Sequence, residues 1–200
     1  MTDGYKYNRE RELQRRFNTF LSDEFGLPKK DYYSNLDTKG FIGLKAFLSE
    51  INNILTMKAT LSFVSWVSEK LGLDASATEE ITKFALQAKP NSNGYDAWLG
   101  YPVAFVAEVK CNVPINGGLV YGTAQRQGIE KDLDGLLNGK RKARMLPHEC
   151  LKFLVFLDLP EVRKANDHLA SVNIKFRENV LFALNDTELS RTDIVYGVYI

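Results

Sequence analysis

The stretch from Tyr95 to Cys111, YDAWLGYPVAFVAEVKC, decides the fold. Its centre, Gly100-Tyr101-Pro102, is a turn signal, and the run Val103 to Lys110 behind it is too apolar for a sheet edge. With the turn centred on Pro102, Asp96 stands opposite Glu108 in an antiparallel pair, their Cβ atoms roughly 4.5–5.5 Å apart. Lys110 follows Glu108 by two residues and shares its face, whereas Phe105, Ala107, Val109 and Cys111 point the other way, matched by Tyr95, Ala97 and Leu99. Two facing carboxylates repel unless a proton or a cation lies between them. Mg²⁺ answers that need, because it accepts one or two carboxylates and keeps waters or phosphate oxygens for the rest of its shell; Mn²⁺ suits the same ligands. Lys110 adds a cation beside the metal that can assist a water and offset charge on a phosphate. The set fits phosphodiester hydrolysis.

Upstream the pattern is helical. Leu13, Phe17, Phe20 and Leu21 form one stripe, ended by Gly26-Leu27-Pro28. Leu44, Phe47, Leu48, Ile51, Ile54 and Leu55 mark a second helix, and Phe63, Val64, Val67 and Leu71 a third, ended by Gly72. The segment 76–89 reads two ways: Ser76 to Glu79 fits a capping box, but Thr82, Phe84, Leu86 and Ala88 alternate as in a strand. The turn formers Pro90 to Gly94 favour a strand from about Ile81, so that 81–89 makes a hairpin with 95–100 and a three-strand meander in all. Downstream, Gln125, Ile129, Leu133 and Leu136 share a face of a helix over 122–138. Lys152 to Asp158 reads as a buried strand, Pro160 opens a helix, and 179–184 and 193–200 are β-like. This order predicts an α/β (α+β) protein with a mixed β-sheet flanked by helices. An N-terminal helical region, 1–57, precedes a core over 58–200.

Composition narrows the class. Two hundred residues with 44% apolar and 26% charged side chains suit a folded globular chain. A formal net charge of +1 means that any nucleic-acid affinity comes from local clusters. Two cysteines, Cys111 and Cys150, are too few for a disulfide framework, so the cytoplasm is the expected compartment. The polar N-terminus lacks a signal-like apolar run, and no uncharged stretch nears the roughly 20 residues of a membrane span.

The arrangement Asp96, eleven residues, then Glu108-Val109-Lys110, between helical and strand patterns, resembles the PD-(D/E)XK nuclease superfamily over about 60–160. One departure is Tyr95 where the motif has proline. The resemblance implies a restriction-endonuclease-like fold and a Mg²⁺-dependent DNA endonuclease. In it Asp96 and Glu108 hold the metal, Lys110 is catalytic, and the product carries a 5′-phosphate. Such enzymes often add an acid from the preceding helix, for which Glu69 is nearest, with Glu80 and Glu50 behind it. They often carry Gln or Lys where Gln125 stands; its plainer role is a polar cap. A compact chain without helicase or ATPase elements points to restriction before repair or recombination, an argument by association. Cutting both strands with one site per chain favours a homodimer.

Lys140, Arg141, Lys142 and Arg144 form a basic run that suits a double-stranded DNA backbone. Arg9, Arg11, Arg15 and Arg16 are interleaved with Glu10 and Glu12 and read as a solvated face. Gly135-x-x-x-Gly139-Lys140 is one residue short of a P-loop, and His148 and His168 share no metal-ligand spacing with the cysteines. Two other readings stand beside the nuclease: a non-catalytic nucleic-acid-binding domain of the same fold, and an unrelated α+β interaction protein in which Asp96 and Lys110 form a structural ion pair.

Overall fold

A computed structural model describes residues 7–88, 94–114, 118–140 and 147–200. The chain forms two compact units, Met1–Ile51 and Asn52–Ile200. The expected boundary at 57/58 lies six residues further on, and both positions fall inside one helix.

In the first unit, α1 (Arg9–Phe25) starts where Asn8 Oδ1 accepts the Arg11 N–H at 2.9 Å and stops at Gly26, whose φ of 61° suits a residue without Cβ. Asn18 ties the helix to the following loop, its Oδ1 accepting from Tyr32 N and Tyr33 N at 2.9 and 3.0 Å. Phe17, Tyr33 and Phe41 close ring on ring. None of the described residues of this unit is buried.

The second and third expected helices are one, α2 (Thr38–Leu71). Between Leu55 and Phe63 the chain reads Thr-Met-Lys-Ala-Thr-Leu-Ser, without glycine or proline, so nothing interrupts the hydrogen-bond ladder until Gly72, φ 61°. The strand expected from Ile81 is also corrected: it is part of α3 (Ala75–Gln87). Asp74, not Ser76, caps it, accepting the Ala77 N–H at 2.8 Å. Ala77, Ile81 and Ala85 are buried at helical spacing, whereas Leu86, which the alternating pattern would have turned inward, is 57% exposed. The meander therefore has two strands, not three.

Those strands are β1 (Ala97–Leu99) and β2 (Phe105–Lys110). They lead through α4 (Thr123–Asn138) to β3 (Leu151–Phe156), then α5 (Pro160–Val172), α6 (Ile174–Asn179), β4 (Val180–Phe182) and β5 (Val195–Tyr199). The mixed sheet has the order β1-β2-β3-β5-β4, antiparallel between β1 and β2 and parallel elsewhere. One face packs Phe105, Ala107, Val109, Phe153, Val155 and Tyr196 against Phe63 and Val67 of α2 and Ile81 of α3. The other packs Val106, Leu154 and Phe156 against α4 and α5. Two buried layers of this kind suit parallel strands.

Two polar features and one close ring contact brace the sheet. Asn166 links Tyr121 and Tyr199, each at 3.1 Å. Lys152, 2% exposed, donates its ammonium to the carbonyls of Cys150 and Thr192. Gly197 faces Phe182 so closely that an added Cβ would lie 2.6 Å from the ring, which stacks on Tyr199 with centroids 4.9 Å apart. No helix among the described residues is long and apolar enough to cross a membrane.

Candidate active site

The turn at Pro102, with a cis Tyr101–Pro102 bond, sets the expected register: Ala97, Trp98 and Leu99 pair with Ala107, Val106 and Phe105. One step beyond the paired residues, Asp96 donates its N–H to Ala107 O at 3.0 Å and lies near enough to Glu108 for its charge to act on that carboxyl. The Asp96 side chain is anchored, Oδ2 accepting the Val109 N–H at 2.7 Å. Glu108 is 4% exposed. Cys111 packs with the α2 side as expected, but Tyr95 does not: it precedes the strand, turns to the α4 side and donates its hydroxyl to Gly135 O at 3.2 Å.

Two residues complete the cluster. Asp132 of α4 pairs with Lys110, and Lys140, just past α4, sits with Nζ 2.5 Å from Glu108 Oε1. That second contact is an ion pair in distance, but the oxygen lacks a well-aligned hydrogen bond. Lys140 also donates to Gly94 O at 2.9 Å and lies 5.4 Å above the centre of the Tyr95 ring. Its route is built by two glycines: Gly139, φ 90°, turns the chain back, and Gly135 leaves the space that the Lys140 stem fills, since a Cβ there would meet it at 3.2 Å. The Gly-x-x-x-Gly-Lys run that fails as a P-loop thus delivers an ammonium to the hairpin.

Burial raises the proton affinity of Glu108 first and the Asp96 charge raises it further, against the pull of Lys140, so its pKa is pushed up to about 8. Asp96 is raised as well, mainly by burial, with the Val109 N–H and Lys140 opposing. Both feel Asp132. Three acids share this corner with two ammoniums, and the buried pair is left short of positive charge.

Other candidates lie elsewhere or do other work. Gln125 is a cap: its Oε1 accepts the Gly122 N–H at 3.0 Å and its Nε2 donates to Val113 O at 2.8 Å. Glu69 is exposed on α2, whose buried residues pack on the opposite sheet face, and it is not among the charges acting on Asp96 or Glu108. Glu80 is exposed on α3, and Glu50 belongs to the first unit. The Lys140 ammonium turns to Gly94 and Glu108 instead of an open phosphate-binding surface, while Arg141, Lys142 and Arg144 lie outside the described residues. Asp132 escaped the sequence reading, though it stands two turns after Gln125 on the same face of the helix.

The donor set suits a hard divalent cation. Asp96 Oδ1 accepts no hydrogen bond among the described residues, and Glu108 Oε1 has only its ion pair. Mg²⁺ needs just one or two carboxylates, so the site is compatible with it even though, among the described residues, no group of three or more His, Cys, Asp or Glu is placed to hold a metal. No family model, curated protein or solved structure matches this chain.

Proposed function

We propose that the chain is a metal-dependent DNA endonuclease of the restriction-endonuclease-like kind, with Mg²⁺ or Mn²⁺ as cofactor. The observation that carries this reading is the placement of Asp96 beside Glu108, where the Asp96 charge adds to burial in raising the proton affinity of Glu108, with the Lys110 ammonium on the same face. Asp96 and Glu108 would hold the cation, which supplies Lewis-acid polarisation and an activated water when bound. The Val109 N–H fixes the Asp96 carboxylate, so its other oxygen is presented without reorganisation. Lys110, oriented by Asp132, offsets the charge that builds on the phosphate oxygens during in-line attack. Lys140 holds Glu108 in place before a cation takes over part of that task. Activity as a restriction enzyme, in the cytoplasm and as a homodimer, completes the proposal.

Plasmid DNA and a matched RNA, incubated with Mg²⁺ and with EDTA, test it. Cleavage of the DNA is expected only with the cation, and Asp96→Asn, Glu108→Gln and Lys110→Met should each lower it by about 10²-fold or more. Cleavage that survives all three substitutions removes the assignment. The two ion pairs favour a second reading, a structural charge cluster in a non-catalytic domain. A Mg²⁺ titration with neither heat nor a shift in melting temperature selects it.

A further inference from the structure

Helix α1 has two useful flanks. One, through Gln14, Phe17 and Asn18, meets the loop and α2 start of its own unit. The neighbouring flank presents Arg9, Leu13, Arg16, Phe20 and Glu24 at the three- and four-residue spacing of a helix-pairing seam, and all five are exposed. Leu13 is 47% exposed and Phe20 53%; the Phe20 ring meets the ring of Phe25, itself 61% exposed. The charge on this helix is split by halves. Arg9, Arg11, Arg15 and Arg16 outweigh Glu10 and Glu12 in the first half, and the second half carries Asp23 and Glu24 with no base. Arg9 and Glu24 have no side-chain partner among the described residues.

We propose that this flank of α1 docks on α1 of a second copy of the chain, antiparallel, across a two-fold axis between Arg16 and Phe17. The stripe is its own complement: each Leu13 meets the other copy's Phe20, and each Arg9 meets the other copy's Glu24. The arginines nearest the axis bring their counter-ions with them, Arg16 lying 3.7 Å from Glu12 of the same helix. Parallel pairing would oppose like charges along the whole helix, and a phosphate backbone would be repelled by the acidic half, so a second copy is the occupant that the charge pattern selects. The surface is argued from α1 alone and deepens the homodimer of the proposed function by naming its seam; Mg²⁺-dependent cleavage by a chain that stays at 22.7 kDa would overturn the seam and leave the nuclease reading standing.

Sedimentation equilibrium of the 200-residue chain tests it. The mass should rise with concentration from 22.7 kDa toward twice that value. Because the two-fold doubles every change, Arg9→Glu or Glu24→Arg should each raise the dissociation constant about tenfold, and the two together should restore it. In a Cys111→Ser background, Leu13→Cys chains mixed with Phe20→Cys chains should cross-link under mild oxidant, and neither should do so alone. A mass that stays at 22.7 kDa overturns the proposal, as do reversals without effect, a double variant that is not restored, or cross-linking of either cysteine variant with itself.

Discussion

Toward α2 and α3, strand β2 presents Phe105, Ala107 and Val109; toward α4 it presents Val106, Glu108 and Lys110. The first face is satisfied by volume, since any close-packed apolar neighbours serve, and Phe63 and Phe153 supply them with ring centroids 6.0 and 5.8 Å from Phe105. The second is satisfied only by particular groups brought from elsewhere in the chain: Asp96, Asp132 and Lys140. The difference shows where free energy is stored for stability and where it is committed to a charged site that the fold holds at a cost.

Phe105→Ala should break the apolar side most severely, lowering stability by about 3–5 kcal/mol in urea titration. The remaining folded molecules should still cleave. Lys140→Met attacks the other face. It leaves Glu108 with no ammonium, and unfolding at pH 9 should show a loss of about 1–3 kcal/mol, smaller at pH 6 where Glu108 takes up a proton instead.

The proton affinity of Glu108 gives the comparison a pH signature. Between its ordinary value of 4.5 and about 8, the folded chain holds a proton that the unfolded chain has released. Stability from this group is therefore complete below pH 4.5, declines as the pH climbs, and levels off above about 8. Thermal melts in EDTA should show that decline, and Glu108→Gln should flatten it. Saturating Mg²⁺ should flatten it too if the cation binds the ionised pair. The smallest effect belongs to Gln125→Ala, about 1 kcal/mol for a lost cap, with cleavage per folded molecule unchanged. A larger fall in cleavage would return Gln125 to the site.

What could be read from the sequence follows from how local each feature is. The register of the hairpin was legible because one turn and a two-residue period determine it, and Gly26 and Gly72 end their helices as expected. The alternation in 82–88 misled because Asp74 begins a helix whose buried positions, Ala77, Ile81 and Ala85, recur every four residues beneath it. Three of the five charged residues in the cluster, Asp96, Glu108 and Lys110, were visible for the same reason as the hairpin. Asp132 and Lys140 were not recognised as members, because only the packing of α4 on β2 and the turn at Gly139 bring them there.

At the far end of the sheet, Gly197 has chemical neighbours but no chemical task. Under saturation mutagenesis it should behave like a functional position, since even a methyl group must dislodge Phe182 from its stack with Tyr199. Intolerance to replacement there would record a shortage of room, and anyone ranking residues by sensitivity alone would mistake that steric limit for reactivity.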